Sequence, residues 1–364
     1  MPVPRPELEE DERPGSQRIR RAHSDRERKK EMRHRERHVV KEVAPASSEL
    51  FAHAKILRTE GAYFIAERED GVQVRVRSIK GTVSGNPNAS LVAVGDAVLI
   101  EDDGSDVLVI REVLPRRTKL SRRAHKRRDS FEQVIAANID LVAVVSSASD
   151  PPFRPGIIDR YIVAALEGEL GVLLVVNKAD EMDPERGEFV EMCLEYYKIL
   201  GYDHVLTSAT TLDGVERLRT AISGKTVVFA GKSGVGKSSL VNALVGTEIA
   251  RTRRLMKKAA RGVHTTTNAT MIPLPEEHTY IVDTPGVKEF FHFELEPDSI
   301  RFHFVEFAAF ADKCKMTNCM HIHEPGCAVS EAVDEGLIPE WRMNSYAALW
   351  EDAERERKAR VGGM

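Results

Sequence analysis

The 364-residue sequence predicts a small β-barrel, then an α/β domain built on a parallel sheet, then a mostly helical C-terminal part. Three observations predict this arrangement. Short strands that alternate apolar and polar residues fill 51–115, long apolar runs alternate with helical stretches over 131–287, and cysteines and histidines cluster near the end. The length alone suits two to three domains.

Composition excludes several classes of protein. The chain is 42% hydrophobic with a net charge of −4, which is enough apolar content for packed cores. Four cysteines are too few for a disulfide-stapled secreted scaffold, and no apolar run approaches the roughly 18 residues that a membrane helix needs. We therefore expect a soluble protein of the reducing cytoplasm, with no signal peptide and no membrane partner. We also expect it to act as a monomer.

The first 49 residues are strongly basic. Residues 13–41 hold twelve Lys or Arg and four Asp or Glu, with almost no apolar content. Such a stretch cannot bury enough surface to offset its chain entropy, so 1–49 is expected to be a mostly disordered arm. The arm is either a solvated tail with no partner or a segment that contacts an anionic partner.

The next segment predicts an OB-fold barrel at 50–115. The runs AYFIAE, VQVRVRSI, DAVLIED and DVLVIREV are separated by turn sequences rich in Gly, Asn and Asp. A basic linker at 116–130 follows, within a stretch (111–128) that carries nine basic residues and one acid. Two basic segments around such a barrel would attract a phosphate backbone, although a solvated adaptor barrel has the same pattern.

Residues 131–290 read as the α/β domain. The continuous runs IDLVAVVSSA, GVLLVVNK and KTVVFAG suit strands buried on both faces, with helices over about Pro155 to Glu167 and through Tyr197. Residues 291–364 hold eight basic and fourteen acidic residues and form the separate C-terminal domain.

A phosphate-binding loop follows the strand TVVFA and precedes the helix LVNALV. The string GKSGVGKSS fits G-x-x-x-x-G-K-[ST], in which glycines let successive backbone amides face phosphate oxygens at a helix N-terminus. Lys237 would reach the β and γ phosphates, and the Ser238 hydroxyl would ligate Mg²⁺. The predicted loop residues are Gly231, Lys232, Ser233, Gly234, Val235, Gly236, Lys237, Ser238 and Ser239.

Two further segments complete the predicted phosphate side. Asp283 in YIVDTPG ends a strand as an acidic partner of the metal, and Gly286 would give its amide to the γ phosphate. Between the loop and Asp283 lies GVHTTT, from which Thr266 is favoured as a second Mg²⁺ ligand, with Thr265 and Thr267 left open.

The base of the nucleotide is predicted from NKAD at 177–180. Asp180 can accept hydrogen bonds from the two donors that guanine presents and adenine lacks, Asn177 supports the base edge, and the Lys178 stem lies along the ring. Ser208 and Ala209 form the companion loop, in which the Ala209 amide would meet the guanine oxygen. GTP and GDP are therefore the expected ligands.

The order of these motifs is unusual, because Asn177 precedes Gly231 by 54 positions. In ordinary GTPases the base-reading elements follow the phosphate-reading ones. One sheet accommodates both orders if the old termini are joined and new ones opened. The sequence thus predicts an α/β circularly permuted P-loop GTPase domain, with an N-terminal OB-fold barrel and a small, mostly helical, zinc-binding C-terminal domain.

The residue after DTPG is Val287, whose apolar side chain cannot orient an attacking water. His264, beside the predicted switch threonines, is the nearest polar candidate for that catalytic role, with an ordinary exposed histidine as the alternative.

The C-terminal cluster predicts a structural zinc site. The spacing C-x4-C-x-H-x5-C gives three thiolates and one imidazole, a closed tetrahedral set with no open position for catalysis. The predicted ligands are Cys314, Cys319, His321 and Cys327, with His323 as the alternative fourth ligand. Cys193 is expected to be an ordinary core residue.

Taken in order, NKAD, TSA, GKSGVGKS, GVHTTT, DTPG and the cysteine cluster resemble the RsgA family of ribosome small-subunit-dependent GTPases over roughly 50–335. DPPFRPGIIDRY and RRTKLSRR are also similar to that family's linkers. The resemblance implies a late maturation factor that binds the small ribosomal subunit and its rRNA, hydrolyses GTP when the subunit stimulates it, and then leaves. It also implies that His264 is the catalytic histidine.

The residues also allow two other functions. In the first, the chain is an RNA-binding module whose affinity for RNA is switched by the bound nucleotide, and hydrolysis is incidental. A metal-delivery GTPase would use the Cys/His cluster as an exchangeable store, which its closed four-ligand spacing argues against.

Overall fold

The computed structural model describes residues 52–84, 91–123, 132–246, 269–283 and 295–362. The described chain divides into two compact units, the first containing 52–191 and 203–283 and the second containing 192–202 and 295–362. The predicted arm at 1–49 lies outside the described residues.

Five strands form a closed barrel in the first unit. β2 lies between β1 and β3, β5 lies between β3 and β4, and β4 closes the ring by pairing with β1. Every pairing is antiparallel except that of β3 with β5. Apolar side chains on alternate strand positions fill the interior, and the predicted barrel is confirmed. The strands are β1 (Ala52–Glu60), β2 (Tyr63–Arg68), β3 (Gln73–Ser84), β4 (Ala97–Glu101) and β5 (Leu108–Val113).

The basic linker differs from a plain connector. Its residues Lys119–Arg123 form β6, which pairs antiparallel with β7 (Glu132–Ala137). Leu120 on β6 is buried, and the Thr118 hydroxyl donates to the Ile139 carbonyl at 2.5 Å. Apolar burial and backbone pairing therefore order the part of the linker that the structure describes.

The α/β part contains the expected parallel sheet, in the order β10-β9-β8-β11-β13-β12. Only β12 runs antiparallel to its neighbour β13. The central strands are buried on both faces, as continuous Val/Leu runs require. The strands are β8 (Leu141–Ser147), β9 (Gly171–Asn177), β10 (Asp203–Leu206), β11 (Thr226–Ala230), β12 (Thr270–Pro273) and β13 (Tyr280–Asp283).

Helices connect these parallel strands, as crossover connections demand. Helix α1 spans Pro155–Glu167, the predicted bounds, with a proline in its first turn. Helices α2 (Pro184–Ile199) and α3 (Val215–Ile222) follow. Helix α4 starts at residue 237, and its described part covers 237–246.

The barrel and the parallel sheet share one hydrogen-bonded strand order. Strand β1 pairs antiparallel with β12 as well as with β2 and β4, so eleven strands form a continuous series. The sequence predicted separate domains at 50–115 and 131–290. It gives no sign of this pairing, because edge-to-edge contact between distant strands leaves no local pattern.

The second unit is mostly helical. It contains α5 (Pro297–Ile300), α6 (Ala328–Asp334) and α7 (Glu340–Gly362), together with short 3-10 turns at Val305–Ala309 and Ala311–Lys313. Residues 192–202, which the sequence assigned to the α/β domain, belong to this unit because Tyr196 and Tyr197 pack on Trp341 with ring centroids 5.7 and 5.5 Å apart.

A buried ion pair lies in the core of the second unit. Arg342 donates from Nε to Glu306 Oε1 at 2.5 Å, and its guanidinium lies 4.1 Å from the Phe304 ring centroid. Both charged side chains are almost fully buried. Each charge is thus compensated by a partner inside an aromatic core.

Within the ranges that the structure describes, none of the helices combines the length and apolar character needed to cross a membrane.

Candidate nucleotide site and metal centre

The predicted nucleotide residues lie at one edge of the parallel sheet. Strands β8, β9, β10, β11 and β13 run in the same direction, so their carboxyl ends meet at that edge. Asn177 ends β9, Gly231 follows β11 and Asp283 ends β13. Ligands of open α/β sheets bind outside such carboxyl ends.

The phosphate loop wraps around its own lysine. Gly231, Gly234 and Gly236 have φ values of +141°, +89° and +93°, which glycine adopts without steric penalty. Lys237 starts α4, and its Nζ donates to the carbonyls of Gly231 and Lys232, each at 2.7 Å. The ammonium is therefore held inside the loop that would surround a phosphate.

The other loop positions divide by exposure. Val235 is buried and anchors the loop in the core, whereas Lys232, Ser233, Ser238 and Ser239 are exposed. The two serines occupy the first turn of α4, where backbone amides and the helix dipole favour an anion.

Asn177 joins the base loop to the phosphate loop. Its Nδ2 donates to the Val235 carbonyl at 2.9 Å, and its Oδ1 accepts the Ala209 N–H at 3.1 Å. A Cβ on Gly236 would stand 2.1 Å from Asn177 Nδ2, so this contact needs a glycine. The sequence predicted that Asn177 supports the base edge. In the structure its amide positions two loops.

The companion loop is tied to the base-reading loop by one backbone contact. The Ala209 N–H, predicted to meet the guanine oxygen of a bound nucleotide, is donated to Asn177 Oδ1. The neighbouring Ser208 is buried, and its Oγ accepts the N–H groups of Thr210 and Thr211 at 3.2 and 3.0 Å. Ser208 thus shapes the turn from within.

Lys178 and Asp180 follow β9 at the same edge. Lys178 has a left-handed backbone (φ +61°), and its Nζ donates to the Asp150 carbonyl in the loop between β8 and α1. Asp180 lies in the 3-10 turn Ala179–Glu181 and is exposed. Its carboxylate is open to a ligand's donors.

Three predicted residues lie outside the described residues: His264, Thr266 and Gly286. The same holds for the alternatives Thr265 and Thr267 and for Val287. The register of the β12–β13 pair nevertheless sets Thr270, the start of β12, opposite Asp283. Both predicted metal-side segments therefore adjoin the same end of this hairpin in sequence.

The structure brings the four predicted metal ligands together. The ligand atoms of Cys314, Cys319, His321 and Cys327 lie within 4.8 Å of one another. His321 Nδ1 is 3.3 Å from Cys327 Sγ and 3.6 Å from Cys314 Sγ. His323 is outside this set and is exposed. Three thiols around one imidazole nitrogen are the donor set of a closed zinc site.

A carboxylate organises the loop that carries His321. Glu324 accepts three backbone N–H groups, from Met320 at 2.8 Å, Ile322 at 2.9 Å and His323 at 3.1 Å. Although partial burial opposes it, these bonds lower the pKa of Glu324. His321 takes φ +62°, which turns its ring toward the thiols.

The environment of the cluster fits a metal ion. Burial lowers the pKa of His321, which keeps its imidazole neutral and able to donate a lone pair. Burial also raises the pKa of the Cys319 thiol to about 12. Three thiols packed this closely favour the thiolate form when a cation compensates their charge.

Two residues that the sequence analysis did not identify hold the backbone of the cluster in place by hydrogen bonds. Arg301 donates to the Cys319 carbonyl at 2.7 Å, and the Tyr346 hydroxyl donates to the Met320 carbonyl. Phe307 packs edge-on against the His321 ring with centroids 5.5 Å apart. Arg301 and Tyr346 lie far from the cysteines in sequence, so no spacing could have identified them.

Comparison with known proteins gives consistent findings. The family model "RsgA GTPase" matches residues 113–293. A protein of Chlorobaculum tepidum named small ribosomal subunit biogenesis GTPase RsgA is 43% identical over 301 residues, covering 81% of this chain and 96% of that protein. A protein of the same name from Bacteroides fragilis is 34% identical over 305 residues, covering 82% and 96%.

Solved structures agree with the fold. The crystal structure of YjeQ from Thermotoga maritima superposes with a TM-score of 0.67 at 30% identity, covering 84% of this chain and 99% of that one. YloQ, described as a circularly permuted GTPase, gives a TM-score of 0.66 at 22% identity, covering 86% and 99%. The permuted order of the sheet is thus shared with known structures.

Proposed function

The chain belongs to the RsgA family of GTPases, and we propose that it is a late maturation factor of the small ribosomal subunit. It is a GTP-hydrolysing enzyme of ribosome biogenesis by this membership. Under the proposal it binds the subunit and its rRNA as a monomer in the cytoplasm, hydrolyses GTP on stimulation, and dissociates.

The hydrogen bond from Asn177 Nδ2 to the Val235 carbonyl carries the nucleotide part of this proposal. It ties the base-reading loop to the phosphate loop although 54 residues separate Asn177 from Gly231 in the unusual order. One guanine nucleotide would then lie along the edge, with Asp180 accepting from the base and the loop amides around the phosphates.

The proposed chemistry divides among this chain's residues. Lys237 is positioned to exchange the carbonyls of Gly231 and Lys232 for phosphate oxygens and so neutralise charge that develops on the γ phosphate. Mg²⁺ bound with the nucleotide would compensate further negative charge. Its proposed ligands are Ser238 and Thr266, with Asp283 nearby, and His264 is proposed to orient the attacking water.

Zinc is the proposed occupant of the Cys314, Cys319, His321 and Cys327 set. Four protein ligands leave no coordination position for substrate, so the ion would act in folding the second unit and not in catalysis.

The test is GTP hydrolysis by the full chain, with and without purified small ribosomal subunits. We predict that small subunits raise the rate at least ~10-fold, equivalent to about 1.4 kcal/mol of barrier. Large subunits and ATP serve as controls and should give no rise. A rate indifferent to small subunits would refute the ribosomal role while leaving the nucleotide site intact.

A variant distinguishes the proposed GTPase from the alternative, an RNA-binding module whose affinity the nucleotide changes and whose hydrolysis is incidental. If the chain is the proposed GTPase, His264→Ala should both slow hydrolysis and delay release from subunits. Slowed hydrolysis with unchanged release would favour the RNA-binding module.

A further inference from the structure

The barrel holds the hairpin formed by β12 and β13 at both of its ends. At one end the backbone of Arg58 on β1 pairs with Thr270 on β12, and Thr270 is itself opposite Asp283 on β13. Neighbouring strands lie about 4.8 Å apart, so the backbone of Arg58 on β1 is two strand spacings, about 10 Å, from that of Asp283 at the nucleotide edge.

At the other end the contact is made by side chains. The Tyr280 hydroxyl, at the start of β13, donates to Glu67 Oε2 on β2 at 2.5 Å. The Lys55 ammonium on β1 stands 4.1 Å from the centroid of the Tyr280 ring. Tyr280 is 7% exposed, whereas Glu67 and Lys55 are half-buried, so both contacts are partly shielded from water.

Chemistry makes this side-chain contact stronger than an ordinary surface one. A hydrogen bond to an ionised carboxylate is stronger than one to a neutral acceptor, and loss of Glu67 leaves the hydroxyl of the buried Tyr280 without this partner. Burial and the hydrogen bond to Glu67 raise the pKa of Tyr280, so its hydroxyl remains a donor at neutral pH.

The hairpin adjoins in sequence the two segments that are proposed to contact Mg²⁺ and the γ phosphate. β12 begins four residues after the proposed Mg²⁺ ligand Thr266, and β13 ends at Asp283, three residues before Gly286. A displacement of the hairpin would therefore be transmitted along the chain to both of these proposed segments. Because the barrel grips the hairpin at Thr270 and Tyr280, barrel and hairpin must move together or lose these contacts.

We propose that Tyr280 and Glu67 are positioning residues through which a small subunit docked on the barrel accelerates GTP hydrolysis. This inference rests on the proposed function, in which the subunit stimulates the reaction. Neither side chain touches the nucleotide edge, so basal hydrolysis does not depend on them.

The experiment compares basal and subunit-stimulated kcat in the full chain. Tyr280→Phe removes only the hydroxyl and should reduce stimulation at least 5-fold, with basal kcat and subunit affinity each within 2-fold of the unaltered chain. Glu67→Ala should match it, and the double variant should lose no more than either single variant. Glu67→Gln retains an acceptor oxygen and should keep at least half of the stimulation.

Tyr63→Phe is the matched control, because it removes a hydroxyl from a barrel tyrosine at the start of β2, four residues before Glu67, whose ring stacks on Arg75. It should leave stimulation unchanged. Full stimulation in Tyr280→Phe overturns the inference alone, and so does a parallel fall of basal and stimulated rates, which would mark a merely structural role. Absence of stimulation in the unaltered chain overturns the proposed function and the inference with it.

Discussion

The nucleotide edge and the Cys/His centre are assembled in opposite ways. The four ligands of the metal centre come from fourteen consecutive residues, and local turns held by Glu324 bring them together. The nucleotide edge gathers Asn177, Ala209, the phosphate loop and Asp283 from four parallel strands spread over more than a hundred residues. Only the direction and order of the strands make them neighbours.

This difference shows where each site is vulnerable. The metal centre brings three thiols and an imidazole together from one loop segment, so its geometry depends on the bound ion. The nucleotide edge rests on a sheet buried on both faces, and its weak points are close backbone approaches such as that of Gly236 to Asn177.

Removing a metal ligand should have the largest effect. Cys319→Ala should reduce zinc from about one ion per chain to nearly none and unfold the second unit, because zinc binding supplies ~10–16 kcal/mol in small zinc domains. Atomic spectroscopy measures the zinc, and the fluorescence of Trp341 and Trp350, the chain's two tryptophans, follows the unfolding of that unit.

Cys193→Ala is the matched control, since Cys193 is equally buried in the same unit but outside the cluster. It should retain zinc. In both variants GDP affinity should stay within about threefold, because the first unit carries the nucleotide edge. Full zinc content in Cys319→Ala would contradict the assignment of the cluster.

Loss of the buried ion pair of the second unit should have the second largest effect. Glu306→Ala leaves Arg342 charged and uncompensated in an aromatic core, which should lower the free energy of unfolding by about 3–5 kcal/mol. The exposed pair Asp352–Arg355 offers a control, and Asp352→Ala should cost less than about 1 kcal/mol. Urea unfolding followed by tryptophan fluorescence distinguishes them, and equal losses would mean that burial does not set the strength of these pairs.

Two glycines of the phosphate loop sharpen the account of the nucleotide edge. Gly236→Ala combines a strained φ with a Cβ 2.1 Å from Asn177 Nδ2, so GDP affinity should fall at least ~100-fold. Gly234→Ala has similar strain, but its Cβ meets only Pro151 Cδ at 3.5 Å, an ordinary contact, and the loss should be nearer tenfold. Titration with a fluorescent GDP checks the ranking, and equal losses would show that the contact with Asn177 is immaterial.

Much of this structure could be predicted from local patterns. Apolar runs identified β8, β9 and β11, the helical stretch between two of these runs placed α1, and fixed spacing singled out the phosphate loop and the cysteine cluster. These signals work because each depends on residues close together in the chain.

Long-range contacts could not be predicted. The pairing of β1 with β12, the packing of residues 192–202 on α7, and the use of the Ala209 amide by Asn177 all join segments distant in sequence. The selection of His321 over His323 likewise depends on a left-handed backbone and on the grip of Glu324, which spacing does not reveal.

The central claim is that the base-reading and phosphate-reading loops form one guanine site despite their permuted order, and the substitution Asp180→Asn tests it most directly. A carboxylate accepts from the two guanine donors, whereas an amide presents its own N–H groups to them and suits the C2 carbonyl of xanthine. Asp183→Asn is the matched control, because that exposed carboxylate pairs with Arg186.

The measurement is the affinity of each variant for GTP and for xanthosine triphosphate. In Asp180→Asn we predict at least a ~100-fold loss of GTP affinity, about 2.7 kcal/mol for charge-assisted hydrogen bonds, and tighter binding of xanthosine triphosphate than of GTP. Asp183→Asn should keep the original preference. An unchanged preference for GTP in Asp180→Asn would contradict the permuted guanine site.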